Sequence, residues 1–393
     1  MPVAATLGLV SGDSHVNEPR NLWRDNLPAS MRDQAMRGIR PGEGGSWDLL
    51  LDVDHVVKPS EAEHDRLRIN DPQHRFEVMR EEGIVAECVF PTIGLYVWML
   101  DDPDGGAASC RVYNEWIADG LAKSPRFKCA GLVPTWRVED ALVEVGRIAD
   151  SNLGALMLPT VASPDWNHRD WEPLWSAIEE TGLPVVMHQG TGHSMFFYRG
   201  PGAGVANLLA TQSMAPRVAG LLATSGVLAL HPDIHFVFVE YNIGWLGWAM
   251  QTLDFYNAAF MAYGYTAEGK KWVNPELPEP PSFYLRRQVH ATFQDDPIGV
   301  NNLSFTGADA LIWGSDYPHE EGTYPHSRTT VARLVDGLDD HHVTKVFRSN
   351  AARLFNFGDD VLNTPVLPVL PGRVDDGLLD QQSAAHNGET ATA

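Results

Sequence analysis

Cysteine and basic residues are both scarce in this chain of 393 residues. The three cysteines, Cys88, Cys110 and Cys129, are an odd number and form no CxxC pair, which argues against a disulfide framework and predicts reduced thiols in the cytoplasm. Lysine and arginine total 29 against 51 acidic residues, so the formal net charge is −22. A surface this negative disfavours nucleic acid and anionic membrane surfaces as partners, but it permits a small-molecule substrate.

The sequence also lacks a long uninterrupted apolar run. Its longest apolar region, residues 227–250, contains histidine and acidic side chains, so we predict no membrane-spanning helix. The N-terminal residues lack the basic start and long apolar stretch of a signal peptide. We therefore expect a cytoplasmic protein.

Short apolar runs of strand length recur along the chain and alternate with helical patterns. Such an alternation is typical of parallel strands that are covered on both faces. The runs are 7–11, 85–90, 129–133, 155–158, 184–188, 235–240, 289–293 and 310–314. Eight is the strand number of a (β/α)8 TIM barrel, so we predict this α/β fold, with a doubly wound sheet as the competing fold.

Three stretches are longer than ordinary connections in such a barrel: residues 17–70, 91–108 and 264–282. Long connections in a compact domain are often binding loops or lids. We predict that all three are insertions at the C-terminal face of the barrel, where they cover the site. We assign the barrel to residues 1–360 and expect residues 361–393 to form a polar, disordered tail.

Ionisable residues end several of the predicted strands. Asp13 and His15 end the first, His188 ends the fifth, Glu240 ends the sixth and Asp316 follows the eighth. These side chains would meet at the C-terminal rim, where burial is costly unless a cation or mutual hydrogen bonds satisfy them. Each residue alone is explained by a turn cap or a core histidine. Together they favour a divalent metal with nitrogen and oxygen ligands, such as zinc, manganese or iron.

Four more polar residues follow or flank these strand ends. They are His193, Arg199, Asn242 and His319. We predict that they bind substrate, with contact to solvent or to the metal ligands as the alternative role.

Five segments resemble the amidohydrolase-related family of metal-dependent barrels, which includes aminocarboxymuconate-semialdehyde decarboxylase and γ-resorcylate decarboxylase. The segments are SGDSHVNEP at 11–19, YNEWIADGLAKSPRFKCAGLVP at 113–134, WEPLWSAIEETGLPVVMHQG at 171–190, WGSDYPH at 313–319 and NAARLF at 350–355. The resemblance implies one metal ion, most simply zinc, bound by Asp13, His15, His188 and Asp316. It also implies a homodimer.

One position departs from the decarboxylases, which carry a histidine after the sixth strand where this chain has Glu240. We therefore expect a hydrolase of a small, carboxylated or aromatic substrate, in which the metal lowers the pKa of water and Glu240 is the general base. Asp316 is the second catalytic candidate. The alternatives are a metal-dependent decarboxylase of an aromatic or unsaturated acid, with Glu240 as acid or as metal ligand, and a barrel that binds a small molecule without turnover.

Overall fold

The computed structural model of the chain describes residues 6–41, 47–51, 58, 60–192 and 198–366. The strands in chain order are β1 (Leu9–Ser11), β2 (Met36–Pro41), β3 (Trp47–Leu51), β4 (Ile84–Val89), β5 (Phe127–Leu132), β6 (Ala155–Met157), β7 (Val185–His188), β8 (Phe236–Val239), β9 (Val289–Phe293) and β10 (Leu311–Trp313). The helices are α1 (Leu22–Asn26), α2 (Glu61–Leu67), α3 (Pro72–Glu82), α4 (Pro103–Asp119), α5 (Val138–Ala149), α6 (Glu172–Thr181), α7 (Ala203–Gln212), α8 (Met214–Ser225), α9 (Val227–Leu230), α10 (Gly244–Tyr263), α11 (Pro281–Gln288), α12 (Pro297–Asn301), α13 (Leu303–Thr306), α14 (Ser327–Leu334), α15 (Asp340–Thr344), α16 (Asn350–Leu354) and α17 (Asp359–Leu362).

Eight of the strands form one parallel sheet that curves into a nearly closed barrel. Their spatial order, β1-β4-β5-β6-β7-β8-β9-β10, follows the chain. The first and last strands meet where the amide of Gly12 donates to the carbonyl of Trp313 (2.9 Å) and the amide of Asp316 donates to the carbonyl of Asp13 (2.9 Å). The predicted (β/α)8 barrel is therefore confirmed, and each of the eight predicted runs overlaps one of its strands.

The strands are continuous apolar runs because helices cover their outer face while the barrel interior covers the other. Every residue of β7 and β8 is buried, for example. α5 shows the complementary pattern, since Ala141, Val145 and Ile148 are buried at helical spacing on its inner face. This packing places the side chains at the carboxyl ends of the strands at the mouth of the barrel.

Two of the long connections lie at the carboxyl ends of the strands. Residues 17–70 contain the antiparallel hairpin β2–β3, which the sequence did not predict, together with α1 and α2. Glu18 joins this connection to residues 91–108, since its buried carboxylate accepts the backbone N–H groups of Ile93 (2.9 Å) and Gly94 (2.8 Å). Both connections therefore pack beside the barrel mouth, as predicted.

The third long connection does not cover the mouth, and that prediction is wrong. Residues 264–282 follow α10, and this helix runs from the mouth back to the amino end of the barrel. Trp272 stacks on Phe260, with ring centroids 5.2 Å apart, and Pro275 lies beside Gly226 at the end of α8. The segment lines a cavity of about 1000 Å³ on the outside of the barrel. In a βα unit a connection that follows a helix lies at the amino end of the strands, opposite the site.

The predicted tail begins at residue 361, and residues 367–393 lie outside the described part of the chain. Across the described ranges, no helix combines the length and the apolar character that a membrane crossing requires.

Candidate metal centre

Three side chains that could hold a metal ion, which we call the inner group, meet in the barrel mouth: Asp13, His15 and His188. Asp13 and His15 follow β1, and His188 is the last residue of β7. His15 Nε2 lies 3.5 Å from Asp13 Oδ1 and 3.2 Å from His188 Nε2. All three side chains are fully buried. The barrel thus joins residues that are more than 170 positions apart in the sequence around one point.

Asp316, which follows β10, approaches the same point. Its Oδ1 lies 3.4 Å from His15 Nε2. Ligands of a four-coordinate ion with bonds of about 2.1 Å stand about 3.4 Å apart. The distances from His15 to Asp13, His188 and Asp316 are near that spacing. Asp13, His15 and His188 offer ligand atoms that all lie within 4.8 Å of one another, whereas Asp316 meets this condition with His15 and His319.

Backbone carbonyls set the tautomers of the two histidines. His15 Nδ1 lies 2.8 Å from the carbonyl of Pro91, and His188 Nδ1 lies 2.7 Å from the carbonyl of Gln189. A carbonyl oxygen only accepts, so each Nδ1 carries its hydrogen and each Nε2 presents a lone pair to the other. Burial lowers the pKa of both rings, that of His188 to about 3. Both are therefore neutral imidazoles, which is the form that binds a metal.

The carboxylates of this site lack a partner that a cation would provide. Asp13 Oδ1 and Asp316 Oδ2 are buried and have no hydrogen-bond partner among the residues that the structure describes. Burial, and then the charges of Asp316 and Glu240, raise the pKa of Asp13. Burial also raises the pKa of Asp316, against the opposing effect of its bond to His319. Buried oxygens without partners are costly, so this donor set fits a divalent ion.

Glu240 directly follows β8 and turns toward the same space. Its Oε2 lies 3.6 Å from His188 Nδ1, and its backbone N–H donates to Thr292 Oγ1 (2.8 Å). Burial, and then the charges of Asp316 and Glu321, raise its pKa well above the ordinary glutamate value. Its φ of 67° is left-handed, a conformation that costs about 1–3 kcal/mol and is concentrated at functional sites.

A second set of ligand atoms, which we call the outer group, adjoins the inner group: Glu240, Asp316, His319 and Glu321. One oxygen or nitrogen from each lies within 4.8 Å of the others. His319 Nδ1 is 2.9 Å from Asp316 Oδ1, and its ring centroid is 4.1 Å from that of His15. Burial lowers the pKa of His319, but its bond to Asp316 and the neighbouring acidic charges outweigh that effect and raise it. Glu321 is exposed at the rim.

The remaining predicted residues are spread around this centre. His319 belongs to the outer group, and Asn242 is half-buried two residues after Glu240, with a left-handed φ of 55°. Arg199 is exposed in the loop ahead of α7. His193 lies outside the described residues. Asn242 is thus close in sequence to the end of β8, and His319 is close in space to the inner group, whereas Arg199 lies on the surface.

Three side chains of the site were not predicted from the sequence. Gln294, the residue after β9, donates from Nε2 to Asp13 Oδ2 (3.3 Å). Glu321 follows the WGSDYPH segment by two residues. Tyr96 lies in the connection after β4, where burial and then the charges of Glu240 and Glu321 raise its pKa to about 12. Gln294 and Glu321 follow barrel strands, and that position is a signal in the sequence, whereas Tyr96 lies in a short 3-10 helix, Gly94–Met99, that carries no such signal.

Gly314 permits the approach of β10 to the metal-binding end of β1. A Cβ at this position would lie 2.4 Å from Asp13 Cβ and 2.9 Å from the Asp13 nitrogen. Real side chains do not approach a backbone this closely, so only glycine fits here without displacing Asp13.

Comparison with solved structures gives relatives of the whole barrel at low sequence identity. An amidohydrolase from Mycobacterium avium subsp. paratuberculosis superposes with a TM-score of 0.67 at 18% identity, over 89% of this chain and 99% of that one. The 5-carboxyvanillate decarboxylase from Sphingomonas paucimobilis gives 0.63 at 20% identity, over 90% and 100%. A dihydroxybenzoic acid decarboxylase from Polaromonas, with bound manganese and 2-nitroresorcinol, gives 0.61 at 16%, over 91% and 100%. These likenesses show a shared fold.

Comparison with curated proteins gives no match. The family model described as amidohydrolase matches residues 13–357, from the first metal-binding candidate to the last helices of the barrel. This match covers most of the chain and includes every residue of the inner and outer groups. The chain therefore belongs to the amidohydrolase family.

Proposed function

We propose that this protein binds a divalent metal ion through Asp13, His15, His188 and Asp316 and decarboxylates an aromatic carboxylic acid without an oxidant. The observation that carries the proposal is the placement of the Glu240 carboxyl group, 3.6 Å from a ring nitrogen of His188, at the edge of the inner group. The solved relatives of the barrel that act on 5-carboxyvanillate and on dihydroxybenzoic acid support this reaction over the hydrolysis expected from the sequence.

The inner group and Asp316 fit the ion because together they offer two neutral imidazoles and two carboxylates with unpartnered oxygens. When bound, a divalent ion supplies a Lewis acid that holds and polarises substrate oxygens. Manganese is the first ion to test, since it is present in a related decarboxylase, and zinc is the second.

Glu240 then supplies the proton that replaces the carboxyl group. The bond from the ring carbon to the carboxylate breaks and releases CO2, and the electron pair left on the ring carbon takes the proton from the Glu240 carboxyl. Burial and the neighbouring carboxylates raise the pKa of Glu240, so it stays protonated to a higher pH than an exposed glutamate does, as a general acid requires. We assign His319, Asn242 and the phenol of Tyr96 to the orientation of the substrate.

Hydrolysis of a neutral substrate is the second candidate, and the charge of the site favours it. Four carboxylates surround the mouth, those of Asp13, Glu240, Asp316 and Glu321. An anionic acid would be repelled by them unless bound cations compensate, whereas a neutral amide or ester would not. In this reaction Glu240 is the general base that takes a proton from the attacking water.

Isotope labelling distinguishes the two reactions. The full chain is loaded with Mn²⁺ and incubated with 5-carboxyvanillate, 2,6-dihydroxybenzoate and related hydroxylated acids, and separately with amide, ester and C–C hydrolase substrates. Decarboxylation in D₂O places one deuterium at the carbon that lost CO2, and this is the result we expect. Incorporation of ¹⁸O from labelled water without release of CO2 would replace the proposal with hydrolysis. Bound metal without turnover on either panel would instead favour a binding protein.

A further inference from the structure

We propose that Thr292, a residue of β9, is a positioning residue for Glu240: its hydroxyl group fixes the backbone of Glu240 so that the carboxyl group turns toward His188. This inference rests on the role of Glu240 in the proposed function. It deepens that function, because it names the group that holds the proton donor in place.

Glu240 needs such a restraint because its backbone conformation is unfavourable. Its φ of 67° is in the left-handed region, where the Cβ of a side chain crowds the backbone. A residue keeps this conformation only when its surroundings impose it. The Glu240 carboxyl group reaches its place, with Oε2 3.6 Å from His188 Nδ1, from this backbone conformation. A change of φ would therefore move the carboxyl group.

Thr292 supplies a restraint at the strained residue itself. Its Oγ1 accepts the backbone N–H of Glu240 (2.8 Å), and its side chain is fully buried. A buried N–H without an acceptor is unfavourable, so this bond opposes any relaxation of Glu240 that would break it.

The turn that follows Glu240 is anchored by other side chains. Tyr241 Oη lies 2.7 Å from Thr160 Oγ1. The N–H groups of residues 243 and 244 donate to Asp296 Oδ2, at 2.9 and 2.7 Å. These bonds do not involve β9, so they persist when its hydroxyl group is removed. We therefore expect that removal to move Glu240 while the turn keeps its course.

Thr292 also lies beside the end of β1. A Cβ built on Gly12 would stand 3.5 Å from the Thr292 methyl carbon. Burial and the neighbouring carboxylates raise the pKa of Asp13, whereas a hydrogen bond with Thr292 lowers it. Gln294 Nε2 donates to the same carboxylate (3.3 Å) and would remain if the hydroxyl were lost. We therefore expect the larger effect at Glu240.

Crystal structures of full-length variants test the proposal. Thr292→Val keeps nearly the shape of threonine and suits a β-strand, so this variant should fold, but it removes the acceptor. The φ of Glu240 should then leave the left-handed region. Its Oε2 should lie at least about 1 Å farther from His188 Nδ1, a displacement large enough to impair catalysis. Thr292→Ser keeps the hydroxyl and should retain the wild-type position. If Glu240 keeps its φ and its distance in Thr292→Val, the proposal is overturned.

Steady-state kinetics provide a second measurement, on whichever acid of the labelling panel the wild type decarboxylates. Thr292→Val should lower kcat by about 10- to 100-fold with little change in KM, and Thr292→Ser should retain most of the activity. Thr306→Val is the matched control, because Thr306 in α13 is also buried and its hydroxyl donates to the carbonyl of Asn302 (3.2 Å). It should keep the wild-type kcat. Equal losses in the two valine variants would overturn the proposal.

Titration with Mn²⁺ by calorimetry separates an effect on Glu240 from an effect on Asp13. A loss of Mn²⁺ affinity of about 10- to 100-fold is typical when a partner behind a metal ligand is removed. Such a loss in Thr292→Val, with Glu240 still in place, would show that Thr292 acts through Asp13 and would overturn the proposal. Absence of turnover by the wild type would instead overturn the proposed function, and the crystal structures would still decide whether Thr292 holds Glu240.

Discussion

Asp13→Asn should stabilise the metal-free protein, although it removes a proposed metal ligand. Asp13 Oδ1 is buried, has no hydrogen-bond partner within the described part of the chain, and lies 3.5 Å from His15 Nε2, which presents a lone pair. An unsatisfied buried polar atom costs about 1–3 kcal/mol, and an asparagine amide in its place removes one negative charge from the group and offers a donor to that lone pair. Without metal, the substitution should therefore increase the free energy of unfolding by a similar amount.

The chain length converts this energy into a melting-temperature shift. An unfolding entropy of about 2.1 cal/mol/K per residue is about 0.8 kcal/mol/K for 393 residues, so about 1–3 kcal/mol corresponds to about 1–4 °C. Mn²⁺ at 100 times its dissociation constant adds about 2.7 kcal/mol to a chain that binds it, or about 3 °C. Differential scanning calorimetry with a chelator and with Mn²⁺ measures both shifts.

Metal should raise the melting temperature of the wild type and leave that of Asp13→Asn unchanged. Asp119→Asn is the control, because Asp119 is an exposed carboxylate. The same chemical change there should alter the free energy of unfolding by less than about 0.5 kcal/mol, both with the chelator and with Mn²⁺. If Asp13→Asn melts below the wild type in the presence of chelator, the Asp13 carboxylate is satisfied in the metal-free protein and the reasoning fails. A Mn²⁺-dependent shift of equal size in both chains would show that Asp13 is no ligand.

Three further predictions follow from the same residues. Glu240→Gln should lower turnover by about 10²–10⁴-fold, measured by steady-state kinetics, while the metal ion is retained; an unchanged rate would make Glu240 a bystander. Because burial raises the pKa of Asp13, its contribution to the stability of the metal-free protein is present below about pH 4, near the ordinary aspartate pKa, and is lost as pH rises through the folded-state value. The melting temperature of the metal-free wild type relative to Asp13→Asn should thus fall as pH increases, and a flat difference would contradict the shift. Gly314→Ala should cost about 1–3 kcal/mol of stability and weaken Mn²⁺ binding because its Cβ displaces Asp13, whereas Gly146→Ala in α5, where the new Cβ meets nothing, should be neutral or slightly stabilising.

The barrel and the inner group could be predicted from the sequence because both depend on local patterns. Most barrel strands are short apolar runs that are buried on both faces, and each predicted ligand comes at or just after the strand end that reaches the mouth. Asp13, His15, His188 and Asp316 all follow this rule. Parallel topology sends every strand end to one rim, so the convergence of the four side chains follows once the strands are recognised.

The position of residues 264–282 could not be read from length alone. A long connection of this kind covers the site only if it follows a strand, and this one follows α10. The residue at which α10 ends is hard to predict, because the residues on either side of it are of similar type. The helix end depends on packing against α8 and α11. The hairpin β2–β3 was missed for a related reason, since two short strands in a long connection carry little periodicity.

The fold class and the strand-end residues that could bind a metal follow from the chain itself, because apolar periodicity and strand-terminal ionisable groups are local properties, and the family follows from five local motifs. The tautomers of His15 and His188, and therefore the ring nitrogens that face the proposed metal position, depend on carbonyls that the fold brings to them. The fold also brings Glu321 and Tyr96 toward Glu240. That proximity arises from the path of two connections, whose course is set by packing against the barrel and leaves no periodic pattern in the chain.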